Sequence, residues 1–167
     1  RQNLSRVTSS RLVFPTEWFA QKSFRAVRLR VKLARPMKTK IEILLPIYNE
    51  VANLAPLVRE LDRVVSHLRH EAEFHYLFIN DGSTDGSTQF LHALAKQRND
   101  VRTIDLIHNF GHAAALVCGI DHFHGDALAI MDADMQDSPD ALLQMYDAWK
   151  KGAKTVVAER GERQEKS

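Results

Sequence analysis

Two aspartates spaced two residues apart are the sharpest chemical signal in this sequence. Asp132 and Asp134 follow a short apolar run that is predicted to be a strand, in which side chains at i and i+2 face the same side. Two carboxylates about 4 Å apart repel by roughly 4 kcal/mol at an effective dielectric near 20, unless a cation neutralises them. Because Mg²⁺ takes one or two carboxylates together with substrate phosphates, the pair predicts half of a metal site. The alternative is a solvated acidic turn in which Asp137 or Ser138 caps the next helix.

Two further polar segments have residue types that suit a nucleotide. In segment 46–50, Tyr48 can stack on a base, and Asn49 or Glu50 can read its polar edge. In segment 80–86, glycines allow close backbone approach to a ligand, and Asp81 can accept hydrogen bonds from ribose hydroxyls. The alternative for both segments is a capped turn before a helix, with Asp85 or Ser87 as the second cap and with Asp85 and Ser83 largely structural.

The spacing of apolar residues predicts strands that alternate with helices. The predicted strands are 41–47, 74–80, 101–107, 127–131 and 155–158. The predicted helices are 54–68, 87–97, 113–123 and 139–151, of which 113–123 is apolar enough to be buried. This alternation indicates an α/β fold with a mostly parallel sheet flanked by helices. Ligands bind such sheets beyond the carboxyl ends of the strands, which selects segments 46–50, 80–86 and 132–137.

Charge is divided unevenly along the 167 residues. Residues 1–40 carry eleven basic side chains and one acidic side chain, a balance of +10, whereas the whole chain carries +2. Such asymmetry is typical of a basic appendage on an acidic domain. We therefore expect residues 1–36 to be a non-native or disordered head and residues 37–167 to form the domain. The alternatives for the head are a membrane-surface or targeting segment and a binder of an acidic partner.

Cysteine and histidine usage adds little chemistry. The single cysteine, Cys118, excludes an internal disulfide and is expected in the core. Four histidines are expected at exposed positions on helices or strands: His67, His70, His75 and His92. A weaker metal candidate is the cluster of Asp121, His122, His124 and Asp126. The longest apolar run, 113–120, is well short of the roughly 20 residues that span a bilayer.

Taken together, three motifs resemble family 2 glycosyltransferases with the GT-A fold. Pro-Ile-Tyr-Asn-Glu starts at Pro46, Asn-Asp-Gly-Ser-Thr-Asp-Gly-Ser starts at Asn80, and Asp-Ala-Asp-Met-Gln-Asp-Ser-Pro-Asp starts at Asp132, in that family's order and spacing. The resemblance implies a Rossmann-like GT-A nucleotide-diphospho-sugar transferase fold. Because family members continue well past Arg163, it also implies that the chain is truncated at its C-terminus. The family often has Asp where this chain has Asn80.

Further residues are similar to one branch of that family, the relatives of dolichyl-phosphate mannose synthase and undecaprenyl-phosphate sugar transferases. They are the Asn-Phe-Gly-His-Ala-Ala-Ala run from Asn109 and the pair Arg160 and Arg163. The resemblance implies a sugar transfer from a UDP- or GDP-sugar to a polyprenyl (undecaprenyl or dolichyl) phosphate, with inversion. It also implies a site at the cytoplasmic face of the membrane in the full-length protein, although this chain alone reads as soluble. No nucleic acid is expected as a partner.

The resemblance also implies a role for each matched residue. Pro46, Tyr48, Glu50 and Asp81 would hold the nucleoside, with His112 in the wall of the site. Asp132 would contact the ribose or sugar, and Asp134 with Gln136 would bind Mg²⁺ or Mn²⁺. Arg160 and Arg163 would meet phosphate oxygens, so that Asp132, Asp134 and both arginines form the catalytic set.

Other functions remain open at the level of sequence. A phosphotransferase with Asp132 as nucleophile and Asp134 as acid normally uses the first strand of its domain. A dinucleotide-dependent oxidoreductase needs a Gly-x-Gly-x-x-Gly motif after the first strand, which this chain lacks. A sugar-hydroxyl acceptor would need a positioned carboxylate, for which Asp137 is the one candidate. The chain can also be a nucleotide-sugar-binding fragment that is catalytically incomplete.

Overall fold

Four strands alternate with four helices along the chain. A computed structural model describes residues 38–136 and 138–158. In chain order the elements are β1 (Thr39–Ile47), α1 (Val51–Ser66), β2 (Ala72–Asn80), α2 (Ser87–Gln97), β3 (Val101–Asp105), α3 (His112–Asp121), β4 (Ala127–Ile130) and α4 (Ala141–Lys150). The predicted alternation is therefore confirmed over these elements.

All four strands are parallel and form one sheet in the order β3-β2-β1-β4. In register, Ile47 pairs with Asn80, and Asn80 pairs with Asp105. β1 is buried from Ile41 to Ile47, as expected for a central strand covered on both faces. The carboxyl ends of three neighbouring strands thus lie side by side, which confirms the predicted α/β fold.

One face of the sheet packs against α1, α2 and α4. Alternate residues of β1 point into this core, including Ile43 and Leu45. The apolar stripe predicted for α1 is buried at every position: Leu54, Leu57, Val58, Leu61, Val64, Val65 and Leu68. Full burial of one such leucine contributes on the order of 2 kcal/mol. Among the described residues, this face carries 21 buried apolar residues and the opposite face carries four, so this face holds most of the hydrophobic stabilisation.

The opposite face is covered by α3. A β-carbon added to Gly119 would lie 2.2 Å from Cδ1 of Leu44, so the helix can approach this closely only because residue 119 is glycine. The prediction that this helix is buried is wrong, since Val117 is 58% and Ile120 is 51% exposed. α3 is the one described helix on this face, and only its inner side meets the sheet. Cys118 is accordingly only partly buried.

Two strand predictions need correction. Segment 155–158 is not a strand in the described part of the chain, and its Val157 is 78% exposed. A strand requires a neighbour to complete its hydrogen bonds, and among the described residues this segment has none. β4 ends at Ile130, so Asp132 and Asp134 lie in the following loop rather than on the strand. Because the two aspartates are not in a strand, their i, i+2 spacing does not by itself place both carboxylates on the same side of the backbone.

None of the described helices is long and apolar enough to cross a bilayer. Several predictions fall outside the described residues: the basic head 1–36, Asp137, Arg160 and Arg163.

Candidate functional site

A cleft of about 170 Å³ opens at the carboxyl edge of the sheet. Its lining comes from the ends of β1 and β2 and from the segment that leads into α3: Pro46, Ile47, Tyr48, Asp81, Asn109, Gly111, His112 and Ala115. Tyr48 is 47% exposed, so its ring is available to a ligand. Four residues predicted from the motifs, Pro46, Tyr48, Asp81 and His112, are therefore brought together by the fold.

The loops after β1 and β2 are tied together by hydrogen bonds. The backbone N–H of Asn49 donates to Ser83 Oγ at 3.0 Å, and the N–H of Thr84 donates to Asn49 Oδ1 at 2.8 Å. The N–H of Val51, at the start of α1, donates to Asp85 Oδ2 at 2.9 Å. Asp85 thus satisfies the first turn of α1, a helix other than the one that follows it in sequence.

The Asp85 carboxyl also accepts two bonds from Ser87, from its N–H at 3.0 Å and its hydroxyl at 2.6 Å. Desolvation raises the pKa of Asp85, but the hydrogen bonds from Ser87 and Val51 outweigh it and hold that pKa below its ordinary value. The expectation that Ser83 and Asp85 are largely structural agrees with these contacts.

Asp81 has a different geometry from the one that its motif suggests. It is 3% exposed, and its two oxygens accept the backbone N–H groups of Phe110 at 2.7 Å and Gly111 at 2.9 Å. Asp81 therefore holds the segment that enters α3 and forms one wall of the cleft. A carboxylate has about four acceptor positions, so contact with a nucleoside stays a prediction for the remaining ones.

Glycine at position 82 permits this packing. Its φ is +67°, and an added β-carbon would lie 2.4 Å from the carbonyl carbon of His108. The loop after β2 and the segment after β3 therefore touch through their backbones. Any larger residue at 82 would separate the two walls.

His112 connects the cleft to the acidic segment. It is the first residue of α3, and its Nε2 lies 3.8 Å from Asp132 Oδ1. This distance is too long for a hydrogen bond, and the contact is an ion pair only when the imidazole is protonated. Both side chains are about half exposed, so a ligand can reach them.

Four predicted residues lie outside the cleft lining: Glu50, Asp132, Asp134 and Gln136. Glu50 Oε2 accepts from Asn53 Nδ2 at 2.6 Å, which turns the carboxylate toward α1. Asp134 Oδ1 accepts the N–H of Gln136 at 2.9 Å, and Met135 between them has a left-handed backbone with φ 60°. This turn leaves Asp134 Oδ2 free of a hydrogen bond to any described residue.

The donor set fits a hard divalent cation only in part. In residues 38–136 and 138–158, no group of three or more His, Cys, Asp or Glu could hold a metal ion. One carboxylate can nevertheless serve Mg²⁺ when substrate phosphates complete the shell, and Asp134, whose Oδ2 accepts no hydrogen bond from a described residue, supplies such an oxygen.

The prediction of a second, weaker metal site around His122 is wrong. His122 Nδ1 contacts the Cys118 carbonyl at 2.8 Å, and His124 Nδ1 contacts Arg102 at 2.8 Å. Asp126 accepts the N–H of Lys40 at 2.8 Å. These side chains are used by the protein itself at the opposite end of the sheet.

Sequence reasoning missed Asn109 and Ala115 as cleft residues. Both belong to the run 109–115 after β3, which was matched to the family, but only its His112 was assigned to the site, and the strand-end rule was applied to three other strands. The rule that ligands meet the carboxyl ends of parallel strands applies equally to β3 and would have included them.

Comparison with known proteins places this geometry in a family. Residues 42–167 match Glycosyl transferase family 2. The uncharacterized glycosyltransferase YkcC of Bacillus subtilis is 38% identical over 123 residues, covering 72% of this chain and 37% of YkcC. The Escherichia coli prophage bactoprenol glucosyl transferase homolog is 34% identical over 127 residues, covering 74% of this chain and 40% of that protein. The chain thus spans about two fifths of the length of these curated relatives.

Two solved structures share the fold. The mannosyltransferase PcManGT from Pyrobaculum calidifontis, in complex with GDP-Man and Mn2+, superposes with a TM-score of 0.55 at 20% identity, over 65% of this chain and 32% of that one. S. aureus TarS 1–349 in complex with UDP-GlcNAc gives a TM-score of 0.55 at 18% identity, over 68% and 32%. At such identities the likeness concerns the fold alone.

The parallel sheet and its helices therefore define an α/β fold of the GT-A type. The chain belongs to glycosyl transferase family 2. The predicted family is confirmed, and relatives named bactoprenol glucosyl transferases confirm the resemblance to the polyprenyl-phosphate branch.

Proposed function

We propose that this chain forms the donor-binding part of a transferase that moves a sugar from a nucleoside-diphosphate sugar to a polyprenyl phosphate. The observation that carries the proposal is the cleft at the carboxyl edge of the sheet, which opens beside Asp132 through the 3.8 Å contact with His112. A nucleoside in this cleft would direct its diphosphate toward the acidic loop.

The nucleoside would be held by stacking and by amide contacts. Tyr48 supplies an exposed ring next to Pro46, and aromatic rings stack on planar partners. Asn109 has both donor and acceptor groups for the polar edge of a base, which suits either uracil or guanine. In this proposal the main role of Asp81 is to hold the backbone of that wall in place. Glu50 can contact the nucleoside only when its hydrogen bond to Asn53 is broken.

Asp134 and Gln136 would hold Mg²⁺ or Mn²⁺, with Asp132 on the ribose or sugar side. When bound, a divalent cation would neutralise charge that develops on the departing nucleoside diphosphate. In the turn over 134–136, Asp134 Oδ1 accepts the N–H of Gln136, so the metal ligand would be Oδ2, which accepts no hydrogen bond from a described residue. His112, when protonated, adds a positive charge beside Asp132.

The acceptor in this proposal is a lipid phosphate. Such an acceptor needs no general base, and no residue is assigned that role here. A phosphate monoester has a second pKa of about 6, so it is largely anionic at neutral pH and attacks without deprotonation. Direct attack on the anomeric carbon as the nucleoside diphosphate leaves would invert its configuration. Bactoprenol in the names of several relatives supports this acceptor class, and Arg160 with Arg163 would bind phosphate oxygens. Such a reaction belongs at the cytoplasmic face of a membrane.

Donor binding and sugar transfer are separate claims, because the chain spans about two fifths of the relatives. A binding-competent but catalytically incomplete chain is the second candidate, and the same spanned length favours it. A saccharide hydroxyl as acceptor is a third possibility, and it would require a positioned carboxylate.

Calorimetric titration tests donor binding. UDP, GDP and their sugar conjugates are titrated into the chain with and without Mn²⁺, beside Asp134→Ala and the control Asp121→Ala, an exposed aspartate outside the cleft lining. We expect binding of one base that needs Mn²⁺, is lost in Asp134→Ala and persists in Asp121→Ala. A folded chain that binds none of these nucleotides would refute the donor site.

Transfer is tested by adding undecaprenyl phosphate and following the appearance of glycosylated lipid. Product formation by this chain would reject the incomplete-fragment alternative. Donor binding without product, in the presence of the lipid, would favour that alternative.

A further inference from the structure

Asn80 ends β2 at the base of the loop that carries Asp81, and both polar atoms of its amide are hydrogen-bonded. The residue is 2% exposed. Its Nδ2 donates to Asp105 Oδ1 at 2.7 Å and to Thr88 Oγ1 at 2.8 Å. Its Oδ1 accepts the backbone N–H of Ser83 at 3.1 Å. A carboxylate only accepts and an N–H only donates, so these partners determine which end of the amide carries oxygen.

Asp105 is held in turn from the other side. Its Oδ2 lies 2.6 Å from Nε2 of His92, which projects from α2. Its backbone pairs with Asn80 at the end of the sheet, and the N–H of Leu106 donates to the Asn80 carbonyl at 2.8 Å. His92, Asp105 and Asn80 therefore form a continuous polar connection across α2, β3 and β2.

This connection reaches both loops of the cleft. Ser83, whose N–H is held by Asn80, accepts at its Oγ the N–H of Asn49 from the loop after β1. Neither His92 nor Asp105 lines the cleft. The described hydrogen bonds that lead from these two side chains to the cleft loops run through Asn80 and Ser83.

We propose that Asp105 and His92 are positioning residues that orient Asn80, so that loop 81–86 is preformed for the nucleotide. The proposal rests on the donor-binding function above and names residues that it does not include. If the proposal holds, only one of positions 80 and 105 should carry a carboxylate, and the other should carry an amide that donates to it. An aspartate at position 80 of this chain would oppose Asp105 at hydrogen-bonding distance, where Asn80 Nδ2 now donates to Asp105 Oδ1 at 2.7 Å.

A double-mutant cycle tests the shared carboxylate. Nucleotide affinity is measured by calorimetry, with UDP and GDP in Mn²⁺, for N80D, D105N and the double variant N80D/D105N. We expect N80D to bind about tenfold more weakly and the double variant to recover to within about threefold of the original chain, the coupling typical of residues in one network. N80D binding as well as the original chain, or no recovery in the double variant, would overturn the proposal.

A control separates positioning from loss of stability. Val64→Ala removes buried methyl groups from α1, outside the cleft lining, and lowers stability without touching the loops. All variants are compared at a temperature at which circular dichroism shows them folded. If Val64→Ala weakens nucleotide binding as much as N80D does, the role of residue 80 is only structural and the proposal fails.

Hydrogen exchange gives a readout that needs no nucleotide. The Ser83 amide is expected to be protected in the original chain and in Val64→Ala, and to exchange at least about tenfold faster in Asp105→Ala. Unchanged protection in Asp105→Ala would overturn the positioning role. If the original chain binds no nucleotide but Asp105→Ala still loses protection, the donor-binding function fails while the positioning of the loop stands.

Discussion

Glu42 and Arg102 form an ion pair across the amino-terminal end of the sheet, with 3.0 Å between Oε1 and Nη1. Glu42 is fully buried on β1, and its other oxygen accepts the N–H of His124 at 2.8 Å. Arg102 reaches across β2 from β3 and also donates to the His122 carbonyl at 3.0 Å. The pair therefore ties the segment between α3 and β4 to the central strand.

Removing the cation of this pair is expected to destabilise the fold strongly. Arg102→Met leaves the buried Glu42 carboxylate without its charged partner, which typically costs about 3–5 kcal/mol. Urea unfolding followed by circular dichroism measures the loss. The double variant Glu42→Met/Arg102→Met is expected to lose less than Arg102→Met alone, because no buried charge remains. A loss below about 1 kcal/mol for Arg102→Met, as for an exposed pair, would contradict the buried-pair interpretation.

Asp81→Asn is expected to loosen the wall of the cleft. The amide replaces one accepting oxygen with a donor, which then faces the N–H of Phe110 or Gly111. Hydrogen bonds to a charged group contribute about 1.5–3 kcal/mol, so the free energy of unfolding should fall by about that amount. Amide exchange at Gly111 should also accelerate. The exposed control Asp121→Asn should stay within about 0.5 kcal/mol of the original chain. Equal stability of the two variants would argue against the Asp81 contacts.

Gly82→Ala and Gly152→Ala separate backbone strain from collision. Both glycines have positive φ, +67° and +103°, but an added β-carbon meets the His108 backbone only at position 82. Gly152→Ala should cost about 1 kcal/mol from strain, and Gly82→Ala should cost clearly more because two backbones must separate. Thermal unfolding of both variants measures the difference. Similar losses would mean that the close approach at 82 is relieved easily.

The stability of the chain should decrease as the pH is lowered, and one histidine, His75, should account for part of this loss. Partial burial, followed by the charge of Lys40, lowers the pKa of His75 below its ordinary value, against the opposing carboxylates Glu42, Glu73 and Asp100. The unfolded chain takes up the proton at about pH 6.5 while the folded chain resists it. The part of the folding stability that depends on neutral His75 is therefore fully present above about pH 6.5 and is lost as the pH falls below that value.

Urea unfolding at a series of pH values tests this prediction. Between about pH 7 and pH 5, His75→Gln should lose less stability than the original chain, because glutamine does not titrate. The exposed Gln97→Ala, which removes no titratable group, serves as the control and should keep the original slope. A slope that is unchanged in His75→Gln would assign the pH dependence to other groups.

Much of the fold followed from local sequence patterns. Each apolar position of the predicted α1 stripe, from Leu54 to Leu68, is buried, and the predicted bounds of α2 agree with Ser87–Gln97. These patterns reflect periods of 3.6 and 2 residues that every helix and strand must follow. Segment 155–158 has the apolar composition of a strand but pairs with no described neighbour, and composition cannot supply that neighbour.

Four of the predicted site residues lie at one cleft, whereas the sequence did not give their contacts. Pro46, Tyr48, Asp81 and His112 do line one cleft. Glu50 turns toward Asn53 instead, and Asn109 was missed. Motifs indicate which loops meet a ligand, but a polar side chain has several possible partners, and its choice depends on groups that lie far away in sequence.

By itself, the sequence determined the order and type of the elements, the family, and the loops at which ligands are expected, because these depend on local spacing and on short motifs. Only the tertiary structure decided that Asp81 accepts the N–H groups of residues 110 and 111, that Asp85 caps α1, and that Asn80 is held by Asp105. These partners are between 25 and 34 residues apart. They meet because the sheet order β3-β2-β1-β4 places the strand ends side by side. Strand order is a property of the whole packed core, and no local pattern specifies it.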